Sequence, residues 1–217
     1  MSNPTITFKP VADSNGSPSY FDISVTGSTY SWISTGSVLD AWCLDPNLPL
    51  SGLKTFTSVV YSSNEISSIS ANVRSISATV LGHLDEMNWL YGYYESKVDP
   101  TLTYGDVQAA IWQMSGFNWS AEAPYLGAYD TTRINNLVSM ALTHDGYVPM
   151  AGAPLALVLD PITTAGAGNN QPIIVVTKAA ALGDFVWADT NANVGESRPQ
   201  YLSALAGLVT LRRYRRR

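Results

Sequence analysis

The chain has 217 residues, 46% of them hydrophobic and 13% charged, which is apolar enough for one substantial core and excludes wholesale disorder. The formal net charge of -5 hides an asymmetry: five of the twelve basic residues are Arg212, Arg213, Arg215, Arg216 and Arg217, and the rest of the chain sets 17 acidic residues against seven basic ones. An acidic body argues against a nucleic-acid surface, and no apolar run reaches the roughly 18 residues that a membrane helix needs.

The surface is built from Ser, Thr, Asn and Gly rather than charge, with six Trp and twelve Tyr as large amphipathic side chains suited to sheets and interfaces. That balance fits an extracellular or cell-surface β-rich protein. Met1-Ser2-Asn3-Pro4 lacks the basic and apolar regions of a signal peptide. The arginine cluster reads as a solvated end. The one cysteine, Cys43, has no partner for an internal disulfide.

In chain order, Thr5 to Thr26 predicts strands, with Ile6 and Phe8, then Phe21, Ile23 and Val25, alternating about a turn at residues 13–18. Tyr30, Trp32 and Ile33 approach a further strand that ends near Trp42-Cys43-Leu44, where Asp45-Pro46-Asn47 breaks it. From Asn72 the period changes to three and four: Val73, Ile76, Val80, Leu84, Met87, Tyr91 and Tyr94 predict one long helix, capped by Ser70 or Asn72 and weakened by Gly92.

Thr103-Tyr104-Gly105-Asp106 matches a capping box and opens a shorter helix that Ser115-Gly116 ends. Asp130 predicts the cap of a third helix, with Ile134, Leu137, Val138 and Ala141 on one face. Strands resume at Leu155–Leu159 and Ile173–Val176 around a turn at residues 163–170. Strands, helices, strands is the order of an α+β domain: an antiparallel sandwich or barrel with a helical insertion at about residues 70–146, spanning 1–178, followed by a β tail at 179–217.

Chemistry converges on Cys43 and Gln108. The second helix puts Gln108 and Trp112 four residues apart on one side. It also places Gln108 near a helix N-terminus, where free N–H groups stabilise negative charge on an acyl oxygen. A thiolate attacking the carboxamide expels ammonia and leaves a thioester, and burial among Trp42 and Trp112 would keep water from it. A lone buried cysteine is ordinarily a small hydrophobe, and a glutamine at a helix start is ordinarily solvated or bonded to backbone. Residue type and spacing leave both readings open.

Trp42-Cys43-Leu44-Asp45 and Val107-Gln108-Ala109-Ala110-Ile111-Trp112 resemble the paired motifs of the thioester domains of bacterial surface adhesins, an aromatic-Cys-aliphatic-Asp run on a strand and Thr-Gln-x-Ala-Ile-Trp on a helix. Met87-Asn88-Trp89-Leu90 is similar to the end of the helix between them. This chain departs from that pattern in having Val107 before the glutamine. The resemblance implies a Cys43–Gln108 cross-link supported by Trp42, Asp45, Thr103 and Trp112. It also implies capture of an amine on a partner protein or other surface ligand, in a single turnover rather than as an enzyme.

Residues 181–193 resemble the opening of the B-type prealbumin-like stalk repeats of Gram-positive surface proteins, whose Asp/Asn loop often holds calcium. Asp189, Asn191 and Asn193, with Asp184 or Glu196 nearby, offer oxygen ligands at alternate positions. The same residues are ordinary turn formers, and the turn is the simpler reading. A lone apolar strand there could also complete a neighbouring copy, as in an extracellular filament or sheath built without any thioester. His83 and His144 stand apart in sequence from any metal-ligand spacing. Asp85 and Glu86 near Tyr91 and Tyr94 suggest a sugar site. No Ser-His-Asp order, GxSxG, HExxH or phosphate loop is present.

Overall fold

Alternation of period two sets the frame of the molecule. The computed structural model describes residues 5–11, 20–30, 33–48, 55–73, 76–162 and 170–178, all within the first of two compact units, residues 1–181. The 179–217 tail, with Asp184, Asp189, Asn191 and Asn193, lies outside the described residues, as do most of the two turns expected at 13–18 and 163–170.

Six strands, β1 (Thr5–Val11), β2 (Tyr20–Ser28), β3 (Val38–Cys43), β4 (Phe56–Ser62), β5 (Pro154–Ile162) and β6 (Ile173–Lys178), close into a barrel in the order β1-β2-β3-β6-β5-β4. Every pairing is antiparallel. Of the two arrangements the sequence allows, sandwich or barrel, the barrel forms, and closure pairs each of these six strands on both sides.

One face of the strands gives an apolar cluster that includes Ile6, Phe8, Ile23, Val25, Ala41, Leu157, Leu159, Ile173 and Val175. The alternate residues Trp42, Ala156, Val158 and Ile174 belong to a second core, shared with the helices. Strands β3, β5 and β6 are therefore buried on both faces. This explains their near-continuous apolar runs.

The helices α1 (Ile66–Asn72), α2 (Ala78–Leu81), α3 (Leu84–Glu95), α4 (Tyr104–Met114) and α5 (Thr131–Ala141) all fall between β4 and β5, with a short 3-10 helix at Trp119–Tyr125. The insertion thus begins with helix at Ile66, a few residues before the expected 70. The single long helix expected from Asn72 is two segments, α2 and α3, and α1 ends at Asn72 before the stripe begins. Val73 is extended, Ser77 caps α2 by accepting from the Val80 N–H, and Gly82-His83 separates α2 from α3.

The stripe itself is buried as expected from Val73 to Tyr94. A chain that bends between turns can still lay one apolar face on the sheet. Met87 to Leu90 lie inside α3 rather than at its end. Residues 33–37 are loop, so β3 starts later than the aromatic run suggests.

Candidate functional site

The site is set by how α4 begins. Thr103 Oγ1 accepts from the Asp106 N–H at 3.2 Å, and Asp106 Oδ2 accepts from the Thr103 N–H at 2.9 Å. This is the expected capping box, closed with Asp in place of Glu. Thr103 also donates to the Ala128 carbonyl at 2.6 Å. Fully buried Asp106 accepts in addition from the Asp130 N–H at 2.7 Å and from Arg133 Nε at 2.8 Å.

Beside them, a Cβ on Gly105 would stand 2.4 Å from both the Leu126 and the Ala128 carbonyl oxygens. Only glycine allows that approach. The loop before α5 is thereby clasped to the first turn of α4, and the rest of α4 is held against the end of β3.

There, Gln108 meets Cys43. Gln108 Oε1 accepts from the Cys43 N–H at 2.9 Å, and Gln108 Nε2 donates to the Cys43 carbonyl at 2.9 Å. Both residues are buried. Among the described residues the β2 pairing reaches Trp42, opposite Tyr20, and one residue later a side-chain amide takes the main-chain groups of Cys43. The acyl oxygen of Gln108 is thus met by the Cys43 N–H. Of the helix N-terminal N–H groups expected to serve it, those of Thr103 and Asp106 are taken by the capping box, and Gln108 is the fifth residue of α4.

Around the thiol are Ala109 and Trp112 of α4, Leu126, and Ile134 of α5. Burial in this apolar setting pushes the Cys43 thiol up to about 12, and a hydrogen bond from the Gln171 side chain opposes the rise. Trp42, on the other face of β3, stacks on Tyr104 at 5.5 Å between ring centroids and packs against Tyr91 at 4.9 Å. The Trp42 and Trp112 indole N–H groups and the Tyr91 hydroxyl are buried without a hydrogen-bond partner. The surroundings are apolar and short of acceptors.

The expected supporting residues divide. Trp112 packs in the same cluster as Cys43, Trp42 packs in the other core, and Thr103 caps the helix that carries Gln108. Asp45 does not turn its carboxylate to the thiol: Oδ1 accepts from the Asn47 N–H at 2.9 Å, closing its own turn. Its carbonyl instead accepts from Gln171 Nε2 at 2.5 Å. Gln171 and Tyr91 were not singled out for the site by sequence. Gln171 sits in Asn170-Gln171-Pro172 and reads as turn chemistry, and Tyr91 reads as one more core residue of an apolar stripe.

A second polar cluster lies elsewhere. Asp85, Glu86 and Asp145 bring one carboxylate oxygen each within 4.8 Å of one another, a set that could hold a hard cation. His83 Nδ1 lies 3.1 Å from Glu86 Oε1, so the fold joins a histidine to carboxylates that looked isolated in sequence. Asp85 accepts from the Gly146 N–H. Glu86 is pushed up by its burial and by Asp85 beside it.

His144 stacks on Trp89 at 4.1 Å. Tyr91 and Tyr94 are buried in the core, so the sugar platform suggested beside the acids is not made from those rings. A groove of about 380 Å³ beside α5, lined by residues including Asp99, Leu102, Arg133 and Met140, includes neither Cys43 nor Gln108. No protein-family model, curated protein or solved structure matches the chain.

Proposed function

We propose that the chain is an extracellular attachment module in which Cys43 and Gln108 condense into an internal thioester that captures an amine. The observation that carries this reading is the docking of the Gln108 carboxamide on Cys43, across 65 residues of sequence, through two buried hydrogen bonds.

In the forming step, Cys43 Sγ attacks Cδ of Gln108, the C–S bond forms and the C–N bond breaks. The thiol proton leaves with the amide nitrogen as ammonia. The Cys43 N–H stands at the oxygen on which charge develops, as an oxyanion donor must. In the capture step, an amine of a partner protein or surface ligand adds to the same carbon. The sulfur then departs with a proton, and Gln108 ends as a substituted amide. Each molecule reacts once, which makes it a covalent binder rather than an enzyme.

Apolar packing by Ala109, Trp112, Leu126 and Ile134 supports the lifetime of such a bond, because hydrolysis needs water at that carbon. The high affinity of the Cys43 thiolate for its proton supports it too, since a poor leaving group slows adventitious attack. Among the described residues no helix is long and apolar enough to cross a membrane.

A second reading has its own support. Buried Asn88 docks on β5 in a similar manner, accepting from the Ala156 N–H at 2.8 Å and donating to Ser63 Oγ and to Asn64 Oδ1. No cysteine is involved there. Gln108 would then be a brace of the same kind, and the chain a structural subunit of a filament, sheath or appendage. Incubation with methylamine separates the two. The thioester reading expects a methylamide mapped to Gln108 and one newly titratable thiol, and a brace leaves Gln108 unmodified.

A further inference from the structure

The start of α3 and the turn after α5 meet in a group of carboxylates that the chemistry of Cys43 and Gln108 does not use. Asp85 and Glu86 occupy the first turn of α3, directly after His83. Asp145 stands in the turn closed by the Tyr147 N–H donating to the His144 carbonyl at 3.0 Å, with Gly146 at a φ of 76°. The Gly146 N–H donates to Asp85 Oδ2, and the His144 ring stacks on Trp89 of α3 at 4.1 Å. The turn is thus fastened to the helix at two points. In that arrangement each of the three carboxylates brings one oxygen within 4.8 Å of the others.

Glu86 is the member that points to a ligand. The residue is only 3% exposed. Its Oε1 lies 3.1 Å from His83 Nδ1, whereas its Oε2 is buried with no hydrogen-bond partner. A carboxylate oxygen taken out of water with no donor is costly, and here two further carboxylates crowd it. Among the described residues no lysine or arginine pairs with any of the three. The positive charge that this group of oxygens calls for has to come from solution.

We propose that Asp85, Glu86 and Asp145 bind a hard divalent cation, and that the ion is calcium. The donors are carboxylate oxygens throughout, and calcium accepts irregular sets of six to eight oxygens, water included, at about 2.3–2.6 Å. Two oxygens on opposite sides of such an ion stand about 4.6–5.2 Å apart, so oxygens within 4.8 Å of one another fit around one calcium. Magnesium demands a near-ideal octahedron and gives up its water reluctantly. His83 holds Oε1 of Glu86 and leaves Oε2 for the ion. Asp145 is exposed and opens the site to solvent. Bound there, calcium ties the start of α3 to the turn after α5, whether or not Cys43 and Gln108 form a thioester.

The test is a thermal melt of the full chain stripped with EDTA, with and without added calcium chloride, beside a calorimetric titration with the same salt. A saturable calcium site is expected, with Tm raised by about 5–10 °C at a hundredfold excess over Kd. Asp145→Asn keeps the size of an exposed side chain and removes one ligand charge. It is expected to weaken calcium binding about tenfold or more and to lose most of the rise in Tm. Without calcium it melts at or above the parent, because like charges are relieved. Glu86→Gln, which removes the buried charge, is expected to behave in the same way.

Superimposable melts of the parent in calcium and in EDTA overturn the proposal. So does a rise in Tm that survives in both variants, which would put the calcium elsewhere, the Asp and Asn residues at 184–193 included. A response to zinc without one to calcium also overturns it, since that would make His83 a ligand in place of an all-oxygen set.

Discussion

Gln108 and Cys43 are joined by a two-way amide contact in which the side chain of one satisfies the main chain of the other. The contact does two things at once. It supplies the last pairing of a strand that has run past its β2 neighbour, and it delivers an acyl carbon to the residue bearing the only thiol in the chain.

The first role gives a stability prediction. Gln108→Leu keeps the volume but leaves the Cys43 N–H and carbonyl buried without partners, which costs about 2–4 kcal/mol. Urea unfolding of the variant measures it. A loss below about 1 kcal/mol would show that the contact is not a structural brace.

The start of α4 gives a second. Asp106 is fully buried and accepts from the main chain of Thr103 and Asp130 and from the Arg133 guanidinium. Asp106→Ala is expected to cost about 3 kcal/mol or more, and Gly105→Ala at least as much, because its Cβ meets two carbonyl oxygens. Both substitutions should also reduce amine capture, since they shift the helix that carries Gln108. Thermal melts and the capture assay report the two effects together.

A pH prediction comes from the barrel. Burial pushes Asp160 on β5 up to about 6, above its ordinary 3.8. The folded state therefore binds this proton more tightly than the unfolded state does. That contribution is fully present below about pH 4, is lost as pH rises to about 6, and remains absent above. Asp160→Asn should raise stability by about 1 kcal/mol at pH 8 after allowance for solvent screening, with no gain at pH 4. A gain that is equal at both pH values would contradict it.

Tyr91 gives the opposite of a loss. Its hydroxyl is buried without a hydrogen-bond partner and is raised well above its ordinary range, first by burial and then by Cys43. Tyr91→Phe should be neutral or stabilising by up to about 1 kcal/mol. Destabilisation beyond that, measured by urea unfolding, would mean that the hydroxyl has a bonded role.

The parts of the fold visible in the sequence are those governed by short-range rules. The capping box at Thr103, the Asp130 cap, the buried face of α5 and the strands at 155 and 173 each follow from a few adjacent residues. Strand β4 did not stand out, because only Phe56, Ser58 and Ser63 of that stretch are buried and its alternation lapses after Ser58. The break between α2 and α3 was hidden by an apolar stripe that continues across it, and α1 lies before that stripe, which begins at Val73.

At the site, Cys43 and Gln108 were legible as motif residues. The Cys43 N–H as the donor to the acyl oxygen was not, nor was the Gln171 side chain on the Asp45 carbonyl. Both depend on the register of β3 against β6 and on where the β2 pairing stops, which arise only when the barrel closes.

The central claim is the bond between Cys43 and Gln108, and intact-mass spectrometry of freshly purified protein kept free of amines measures it directly. The account predicts a mass about 17 Da below that of the sequence, the mass of the departed ammonia, with the deficit absent in Cys43→Ala. A full sequence mass with one thiol titratable after unfolding would contradict it.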